Sequence, residues 1–206
     1  MILQLPTALT WLRILLIPVL VVVCYLPDSW MLPEARNWVA SGIFVLASVT
    51  DWLDGYLARA LGATSRFGAF LDPVADKLIV ATALIILVDL ERTNAVFAMI
   101  IIGREITISA LREWMAQLGQ IKSVAVAMIG KIKTAAQMVA IIALLLHEQI
   151  LPWISTVWVG TIAMWIAVIL TLWSMFHYLR LAMPYMRESS AQEPQENPEK
   201  EKDDVS

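Results

Sequence analysis

The apolar stretch ISTVWVGTIAMWIAVILTL, residues 154–172, contains no charged side chain. About 20 consecutive apolar residues are enough for a helix to cross the hydrocarbon core of a bilayer. Other apolar runs precede this one, and short polar breaks separate them from one another. The clearest of these runs are residues 14–26, 38–49, 78–90, 95–102 and 124–146. The pattern indicates a helical membrane protein.

Several of these runs are too short to cross a bilayer unless the helix continues through the polar positions beside them. Extending them in this way predicts six helices, with breaks marked by Pro27, Pro33 and Pro152 and by several glycines. The predicted helices are residues 8–26, 34–60, 69–90, 94–116, 125–147 and 153–182. The expected fold class is therefore all-α, a polytopic integral membrane protein with six transmembrane helices.

The composition agrees with a membrane protein. Of the 206 residues, 59% are apolar and 16% are charged, whereas soluble domains average roughly 45–50% and 25%. These fractions exclude a disordered chain and a collagen-like repeat. The single cysteine, Cys24, excludes an internal disulfide. The net charge of −3 gives no indication of nucleic-acid binding.

The acidic charge is concentrated at the C-terminus. Residues 188–206 hold seven acidic residues and two lysines, whereas residues 1–187 hold 13 basic and 11 acidic residues. The tail has almost no large apolar side chain, so it cannot bury enough surface to offset the entropy lost on ordering. We therefore expect a membrane domain at 1–187 and a disordered acidic tail at 188–206.

The basic residues of the membrane domain indicate its orientation. Apart from Arg36 and Arg92, all of them fall at or near one predicted membrane face. Basic residues are enriched on the cytoplasmic side of membrane proteins, so this face and both termini are expected there. Four tryptophans near the predicted outer ends fit an aromatic belt, namely Trp30, Trp38, Trp153 and Trp158.

Four aspartates lie beside or inside the predicted second and third helices. Asp51 and Asp54 are spaced i, i+3, and Asp72 and Asp76 are spaced i, i+4, so each pair shares a helix face. The break near residues 60–67 allows these helices to run antiparallel, which would bring the two pairs together near the cytoplasmic membrane surface. Carboxylates within a membrane are costly and usually functional.

Converging carboxylates repel one another unless cations neutralise them. Ligand sets made only of oxygen suit hard ions such as Mg²⁺ or Mn²⁺. Two such ions can clamp the attacking and leaving oxygens of a phosphoryl displacement. The alternative is an acidic cluster neutralised in ordinary helix packing by Arg59, Arg66 and Lys77.

The stretch Asp51-x2-Asp54-Gly55-x2-Ala58-Arg59-x8-Gly68-x3-Asp72-x3-Asp76 resembles the signature of the CDP-alcohol phosphatidyltransferase family at every specified position. The resemblance implies a six-helix membrane enzyme, commonly a homodimer, that uses divalent metal ions. Such enzymes move a phosphatidyl group from a CDP-linked lipid to an alcohol.

The resemblance also implies roles for individual residues. Asp51, Asp54 and Asp72 would be ligands of Mg²⁺ or Mn²⁺, with two ions in each active site. Asp76 would be both a ligand and the general base. The implied CDP-lipid pocket is lined by Gly55, Ala58, Arg59 and Gly68, with Thr64 and Ser65 beside it.

Cations in the fourth and fifth predicted helices indicate the kind of acceptor alcohol. Arg104, Arg112, Lys131 and Lys133 suit a phosphate monoester, because guanidinium and ammonium groups pair with phosphate oxygens. An uncharged acceptor does not require this concentration of charge. Alternatively, these residues orient the chain in the membrane or pair with acidic neighbours such as Glu105 and Glu113.

Lys131 and Lys133 would point to opposite faces of one continuous helix. Both therefore contribute to one site only if the backbone breaks at Gly130. Otherwise, just one of the two lysines reaches the acceptor.

Several segments also resemble the phosphatidylglycerophosphate synthase branch of the family, over roughly residues 4–182. They are residues 5–13, 103–106, 111–113 and 130–134. This branch implies CDP-diacylglycerol as donor, sn-glycerol 3-phosphate as acceptor, and a location among the lipids of the bacterial cytoplasmic membrane. Leu5 departs from the pattern, because many relatives have Asn before the proline.

Three alternatives remain open at this point. The first is the same chemistry with another acceptor, such as inositol phosphate or serine. The second is a membrane prenyltransferase, although its two Asp-rich motifs usually lie on well-separated helices. The third is a cation transporter, although the many basic residues would crowd a cation path.

Overall fold

The computed structural model describes residues 5–61, 66–117, 129–151 and 153–192. Within these residues the chain forms six helices, which confirms the predicted number. The helices are α1 (Leu5–Cys24), α2 (Pro33–Leu61), α3 (Arg66–Asp89), α4 (Ala95–Gln117), α5 (Ile129–Leu146) and α6 (Thr156–Gln192).

Between α5 and α6 lies a feature that the sequence analysis did not predict. Two short strands, β1 (Gln149–Leu151) and β2 (Ile154–Ser155), pair antiparallel. Beside them, the Thr156 hydroxyl donates to the Glu148 carbonyl (2.9 Å) and accepts from the Glu148 N–H (2.8 Å). The described residues are otherwise mostly helical, as expected for the all-α class, and in this linker the main-chain groups pair with one another instead of extending a helix.

Helix starts have recognisable local causes. Pro33 opens α2, where a residue without an N–H loses no intrahelical bond. Asn94 caps α4, since its side-chain oxygen accepts from the Val96 N–H at 2.8 Å. Ser155 caps α6 in the same way by accepting from the Val157 N–H at 3.2 Å.

The core runs through the middle of the helix bundle. α6 packs on α5 and α4, while α1 packs on α2 and α3. Five side chains, each from a different helix, are almost fully buried there: Leu20, Phe44, Leu84, Ile141 and Met164. These contacts hold the polar ends of α1, α2, α3 and α5 in register.

The outer surface is strongly apolar. On α6, Ile162, Trp165, Ile169 and Trp173 are each more than half exposed. One described stretch, Thr156–Arg180, is long and apolar enough to cross a membrane, and Ala8–Cys24 and Ile132–Leu146 are shorter apolar helices. Exposed apolar surface of this extent marks contact with a membrane or a partner, and here it indicates a membrane protein.

The two ends of the bundle differ in chemistry. At one end, Arg92 in the α3–α4 turn donates to the Leu145 carbonyl and to Asn37 on α2, both at 2.7 Å. The four tryptophans expected at this end are all exposed. The opposite end carries Asp51, Asp72 and Asp76. α6 continues through Gln192, into the segment expected to be disordered, and residues 193–206 lie outside the described part.

Candidate active site

Three helices meet at the predicted acidic cluster. Asp51 lies near the end of α2, and Asp72 and Asp76 lie in the first half of α3. Arg13 of α1 joins the two helices: its Nη1 donates to Asp76 Oδ1 at 2.6 Å, and its Nη2 lies 3.2 Å from Asp51 Oδ1. The predicted meeting of the Asp51 and Asp76 carboxylates is therefore found in the structure, with a guanidinium between them.

The side chains of this group differ sharply in exposure. Arg13 is 0% exposed, whereas the side chains of Asp51 and Asp76 are 43% and 41% exposed. One turn before Arg13, the Thr10 hydroxyl donates to Asp72 Oδ1. α1 thus contacts all three described aspartates from the buried side and leaves the Asp51 and Asp76 carboxylates accessible from the other.

Sequence reasoning gave Thr10 and Arg13 no role in the site. It counted Arg13 among the basic residues at the cytoplasmic face, and both residues lie in the segment 5–13 that resembles one branch of the family. A signal was present, because the two residues are spaced i, i+3 and share one face of an apolar helix. A charge inside such a helix is costly unless it has a partner. The cations proposed instead to neutralise the cluster were Arg59, Arg66 and Lys77. Of these, Lys77 lines the cavity described below, and the side chains of Arg59 and Arg66 lie outside the described residues.

Several predicted site residues have no described side-chain environment. The backbones of Asp54, Gly55, Ala58 and Arg59 belong to α2 and that of Gly68 to α3, but nothing further is described for them. Thr64 and Ser65 lie outside the described residues altogether. The predicted CDP-lipid pocket thus stays a prediction.

A cavity of about 220 Å³ opens beside Asp51 and Asp76. Four helices line it, with α2 and α3 on the aspartate side and Glu105 of α4 and Thr134 of α5 facing them. Pro73 lies on its wall between Asp72 and Asp76 and has no N–H to donate, so α3 lacks one main-chain hydrogen bond in that turn. The polar side chains of the lining are Ser48, Asp51, Asp76, Lys77, Glu105, Thr134 and Gln137.

Two of the predicted acceptor cations converge behind this cavity. Glu105 Oε1 accepts from Lys133 Nζ at 2.5 Å and from Arg104 Nη1 at 2.9 Å. Arg104 Nη2 also donates to Ser174 Oγ of α6 at 3.3 Å, and its guanidinium lies 5.9 Å from the centre of the Tyr178 ring. The structure therefore brings Arg104 and Lys133 together, and Glu105 is the group that joins them.

The alternative that these cations pair with Glu105 is correct for Arg104 and Lys133. This pairing is compatible with phosphate binding, because two positive charges share one negative charge and a net positive charge is left for a phosphate. Arg112 and Lys131 lie on the backbones of α4 and α5, and their side chains are outside the described part. α5 is helical from Ile129 onward, so it has no break at Gly130 that would bring both lysines to one site.

The carboxylate oxygens of the aspartates are the type of ligand that a hard metal ion prefers. Among the side chains that the structure describes, no three His, Cys, Asp or Glu residues converge closely enough to hold a metal by themselves. Asp51 and Asp76 nevertheless already share one cation, the Arg13 guanidinium. Carboxylate oxygens on an accessible cavity wall are what Mg²⁺ and Mn²⁺ prefer, and Asp54, the fourth predicted ligand, is not described there.

Comparison with known proteins places this architecture in a family. The profile of the CDP-alcohol phosphatidyltransferase family matches residues 3–173. The chain belongs to this family. The matched region contains every residue predicted for the site, and it also contains Thr10, Arg13 and Glu105.

Curated relatives are similar over most of their length. A protein of Salmonella choleraesuis named CDP-diacylglycerol–glycerol-3-phosphate 3-phosphatidyltransferase is 49% identical over 87% of this chain and 94% of its own. Proteins of the same name from Shigella flexneri and Pectobacterium atrosepticum are 49% and 50% identical over the same shares. The alignment with this chain therefore covers nearly the whole length of each of these relatives.

Proposed function

We propose that this chain transfers a phosphatidyl group from CDP-diacylglycerol to sn-glycerol 3-phosphate, which yields phosphatidylglycerol phosphate and CMP. The names of the curated relatives support this reaction. The observation that carries the proposal is the arrangement around the cavity. Asp51 and Asp76 lie on one wall, and Glu105, which binds Arg104 and Lys133, lies on another. The aspartates suit a diphosphate with metal ions, and the two cations behind Glu105 suit an acceptor phosphate.

The donor side of the site is built from the aspartates. Asp51, Asp54, Asp72 and Asp76 would hold Mg²⁺ or Mn²⁺, since members of this family generally depend on divalent metal ions. A divalent ion bound there would stabilise negative charge on the diphosphate. Around it, the CDP moiety would contact the residues Gly55, Ala58, Arg59, Thr64, Ser65 and Gly68.

The acceptor side uses the cations of α4 and α5. Arg104 and Lys133 would bind the phosphate of glycerol 3-phosphate, together with Arg112. Because α5 is continuous through both lysines, Lys133 rather than Lys131 would be the lysine that reaches the acceptor. Arg104 suits this role because Ser174 and Tyr178 hold its guanidinium in place. The cavity volume of about 220 Å³ is below the roughly 300–1,000 Å³ of sites for drug-sized ligands. It therefore suits a small acceptor better than a whole CDP-lipid.

The proposed reaction is an in-line displacement at phosphorus. Asp76 removes the proton from the 1-hydroxyl of the acceptor, whose oxygen forms a bond to the phosphorus that carries diacylglycerol. The bond from that phosphorus to the oxygen of the CMP phosphate breaks, and CMP leaves with the electron pair. Arg13 holds Asp76 by one oxygen, Oδ1, and so fixes the orientation of the carboxylate during this step.

The proposed membrane arrangement is supported by the apolar outer surface and by the basic residues that the sequence places at one face. All six helices would cross the bacterial cytoplasmic membrane, with both termini and the cavity on the cytoplasmic side, and two chains would form a homodimer. Water-soluble acceptor would enter the cavity from the cytoplasm. The acyl chains of CDP-diacylglycerol would stay in the bilayer.

The reaction is tested with purified protein, Mg²⁺ or Mn²⁺, CDP-diacylglycerol and labelled glycerol 3-phosphate. We expect CMP release together with a labelled lipid product. Turnover with inositol phosphate or serine, without turnover of glycerol 3-phosphate, would instead identify a different acceptor. Metal flux into liposomes without CMP release would favour the transporter alternative, which a buried Arg13 between the aspartates already opposes.

Replacing Asp76 with asparagine tests the proposed general base. Asp76→Asn should lower kcat by at least about 100-fold, because the amide cannot accept the proton of the hydroxyl. Asp89→Asn is a matched control at the other end of α3, where Asp89 accepts from the Tyr25 hydroxyl at 2.7 Å. The control should keep its activity. Full activity of a folded Asp76→Asn protein would remove Asp76 from this role.

A further inference from the structure

We propose that Glu105 is a positioning residue for the acceptor phosphate, and that it acts by holding Lys133 and Arg104 in place. The proposal rests on the proposed function, since it assigns a role within the same site. Neither the family signature nor the spacing of the basic residues indicates this role. It emerges from the contacts between α4 and α5.

The geometry concentrates two cations on one atom. Glu105 Oε1 accepts from Lys133 Nζ at 2.5 Å and from Arg104 Nη1 at 2.9 Å. The side chains of Lys133 and Arg104 are 3% and 8% exposed, while that of Glu105 is 27% exposed. The carboxylate is therefore the exposed member of the group, and it lines the cavity that also contains Asp76.

The carboxylate favours the close approach of the two cations to each other. A buried ammonium group without a partner is strongly destabilised and tends to lose its proton or turn toward water. Two buried cations beside each other also repel. One carboxylate between them removes most of this repulsion and leaves a net charge of one for an incoming phosphate.

The position of Glu105 also bears on where the acceptor is held. The acceptor must present a hydroxyl to Asp76 on α3 while its phosphate reaches Lys133 on α5. Glu105 of α4 lines the same cavity as Asp76, and it bonds the lysine directly. Fixing the phosphate end of a small substrate fixes the approach of its hydroxyl, and small displacements at this stage lower rates strongly.

The first test replaces Glu105 with glutamine in the full-length protein. Glu105→Gln removes the charge and keeps the side-chain length, so the contact between Glu105 and Lys133 is no longer an ion pair. We expect the KM for glycerol 3-phosphate to rise by about 10-fold or more, and the KM for CDP-diacylglycerol to change by less than about 2-fold. Glu91→Gln, in the turn at the opposite end of the molecule, is the control and should leave both values unchanged.

The second test asks whether Glu105 acts through Lys133. In a Lys133→Gln background, Glu105→Gln should raise the KM for glycerol 3-phosphate by a smaller factor than in the unsubstituted protein. Only the contact between Glu105 and Arg104 is then left to lose. An equal rise in both backgrounds would show that Glu105 does not act through Lys133, and that result would overturn the proposal.

A third variant keeps the inference testable if Glu105→Gln does not fold. Glu105→Asp retains the charge but withdraws it by one methylene, so it should raise the KM for glycerol 3-phosphate and spare that for CDP-diacylglycerol. Unchanged acceptor KM in a folded Glu105→Asp or Glu105→Gln protein would refute the positioning role. Absence of any turnover by the unsubstituted protein would refute the proposed function itself, so the two failures are distinguishable.

Discussion

At the scale of single residues, Arg13 connects the N-terminal helix to the acidic cluster. Its guanidinium is completely buried, yet it reaches carboxylates on both α2 and α3. A buried charge is tolerated only when it is paired. Arg13 therefore depends on Asp51 and Asp76 for its own stability. In turn, it offsets the repulsion between these carboxylates.

This pairing predicts a loss of stability when the guanidinium is removed. Arg13→Gln in metal-free buffer should lower the free energy of unfolding by about 1–3 kcal/mol, somewhat less than for a fully buried pair because both aspartates are partly exposed. Denaturant titration in detergent measures this difference. Asp28→Asn is the comparison, since the Asp28 carboxylate in its pair with Arg36 is 72% exposed and such pairs contribute less than about 1 kcal/mol. Equal losses in the two variants would contradict the special role of Arg13.

At the scale of helices, the contact between α5 and α6 depends on a glycine. A Cβ at Gly160 would lie 2.7 Å from Leu144 Cγ and 3.1 Å from the Leu144 main-chain nitrogen. Leu144 is 1% exposed, so it has little room to move. Gly160 thereby sets how closely α6 approaches α5, the helix that carries Lys133.

Adding one methyl group at this contact should destabilise the bundle. Gly160→Ala is expected to lower the free energy of unfolding by about 1–3 kcal/mol, because overpacking forces the two helices apart. Gly42→Ala is the control, since a Cβ there meets nothing within 4 Å. In a helix interior this control should be neutral or stabilising by up to about 1 kcal/mol. Equal behaviour of the two variants in denaturant titrations would show that Gly160 does not limit the approach.

A second helix-scale feature is the arginine in the α3–α4 turn. Arg92 Nη1 donates to the carbonyls of Leu144 (3.2 Å) and Leu145 (2.7 Å), which end α5, and Nη2 donates to Asn37 of α2. Burial lowers the pKa of Arg92 from its usual value. Arg92 was one of two basic residues on the predicted outer face, and its contacts explain the exception, because it caps a helix end.

Removal of this cap should loosen the outer end. Arg92→Ala leaves carbonyl oxygens and Asn37 without their donor, so we expect a loss of about 1–3 kcal/mol in the free energy of unfolding. Arg92→Lys should recover only part of it, since an ammonium group cannot reproduce the guanidinium fork. Thermal unfolding of the three proteins in detergent checks this order. A fully stable Arg92→Ala protein would contradict the capping role.

At the scale of the whole molecule, the two ends of the bundle carry different chemistry. One end combines exposed Trp30 and Trp153 with the Arg92 contacts. The other combines the acidic cluster, the cavity and the Glu105 group. The helix surface between the ends is apolar. Such a division suits a membrane protein, and it is compatible with the orientation proposed above.

This arrangement predicts a definite membrane topology. Alkaline phosphatase is active only outside the cytoplasm, whereas green fluorescent protein fluoresces inside it. Fusion after Glu148, in the α5–α6 linker, should give high phosphatase activity and no fluorescence. Fusion after Ser206 should give the reverse. Phosphatase activity at both positions would contradict an even number of crossings with both termini in the cytoplasm.

Much of the fold followed from local sequence patterns. The apolar runs and the proline breaks predicted six helices, because helix formation depends on residues within a few turns of one another. The aspartate spacing predicted which carboxylates share a face on α2 and α3. The hairpin at 149–155 was not predicted, since its pairing depends on the short linker being held between the ends of two helices.

The sequence by itself therefore determined the helices, the acidic faces and the family. Only the tertiary structure decided which cations meet which carboxylates. Arg13 and Asp76 are 63 positions apart, and Glu105 and Lys133 are 28 apart. Local periodicity gives the face on which each side chain lies, but not the neighbour toward which that face turns. That choice depends on the packing of whole helices, because burying the apolar core fixes how each helix is rotated within the bundle.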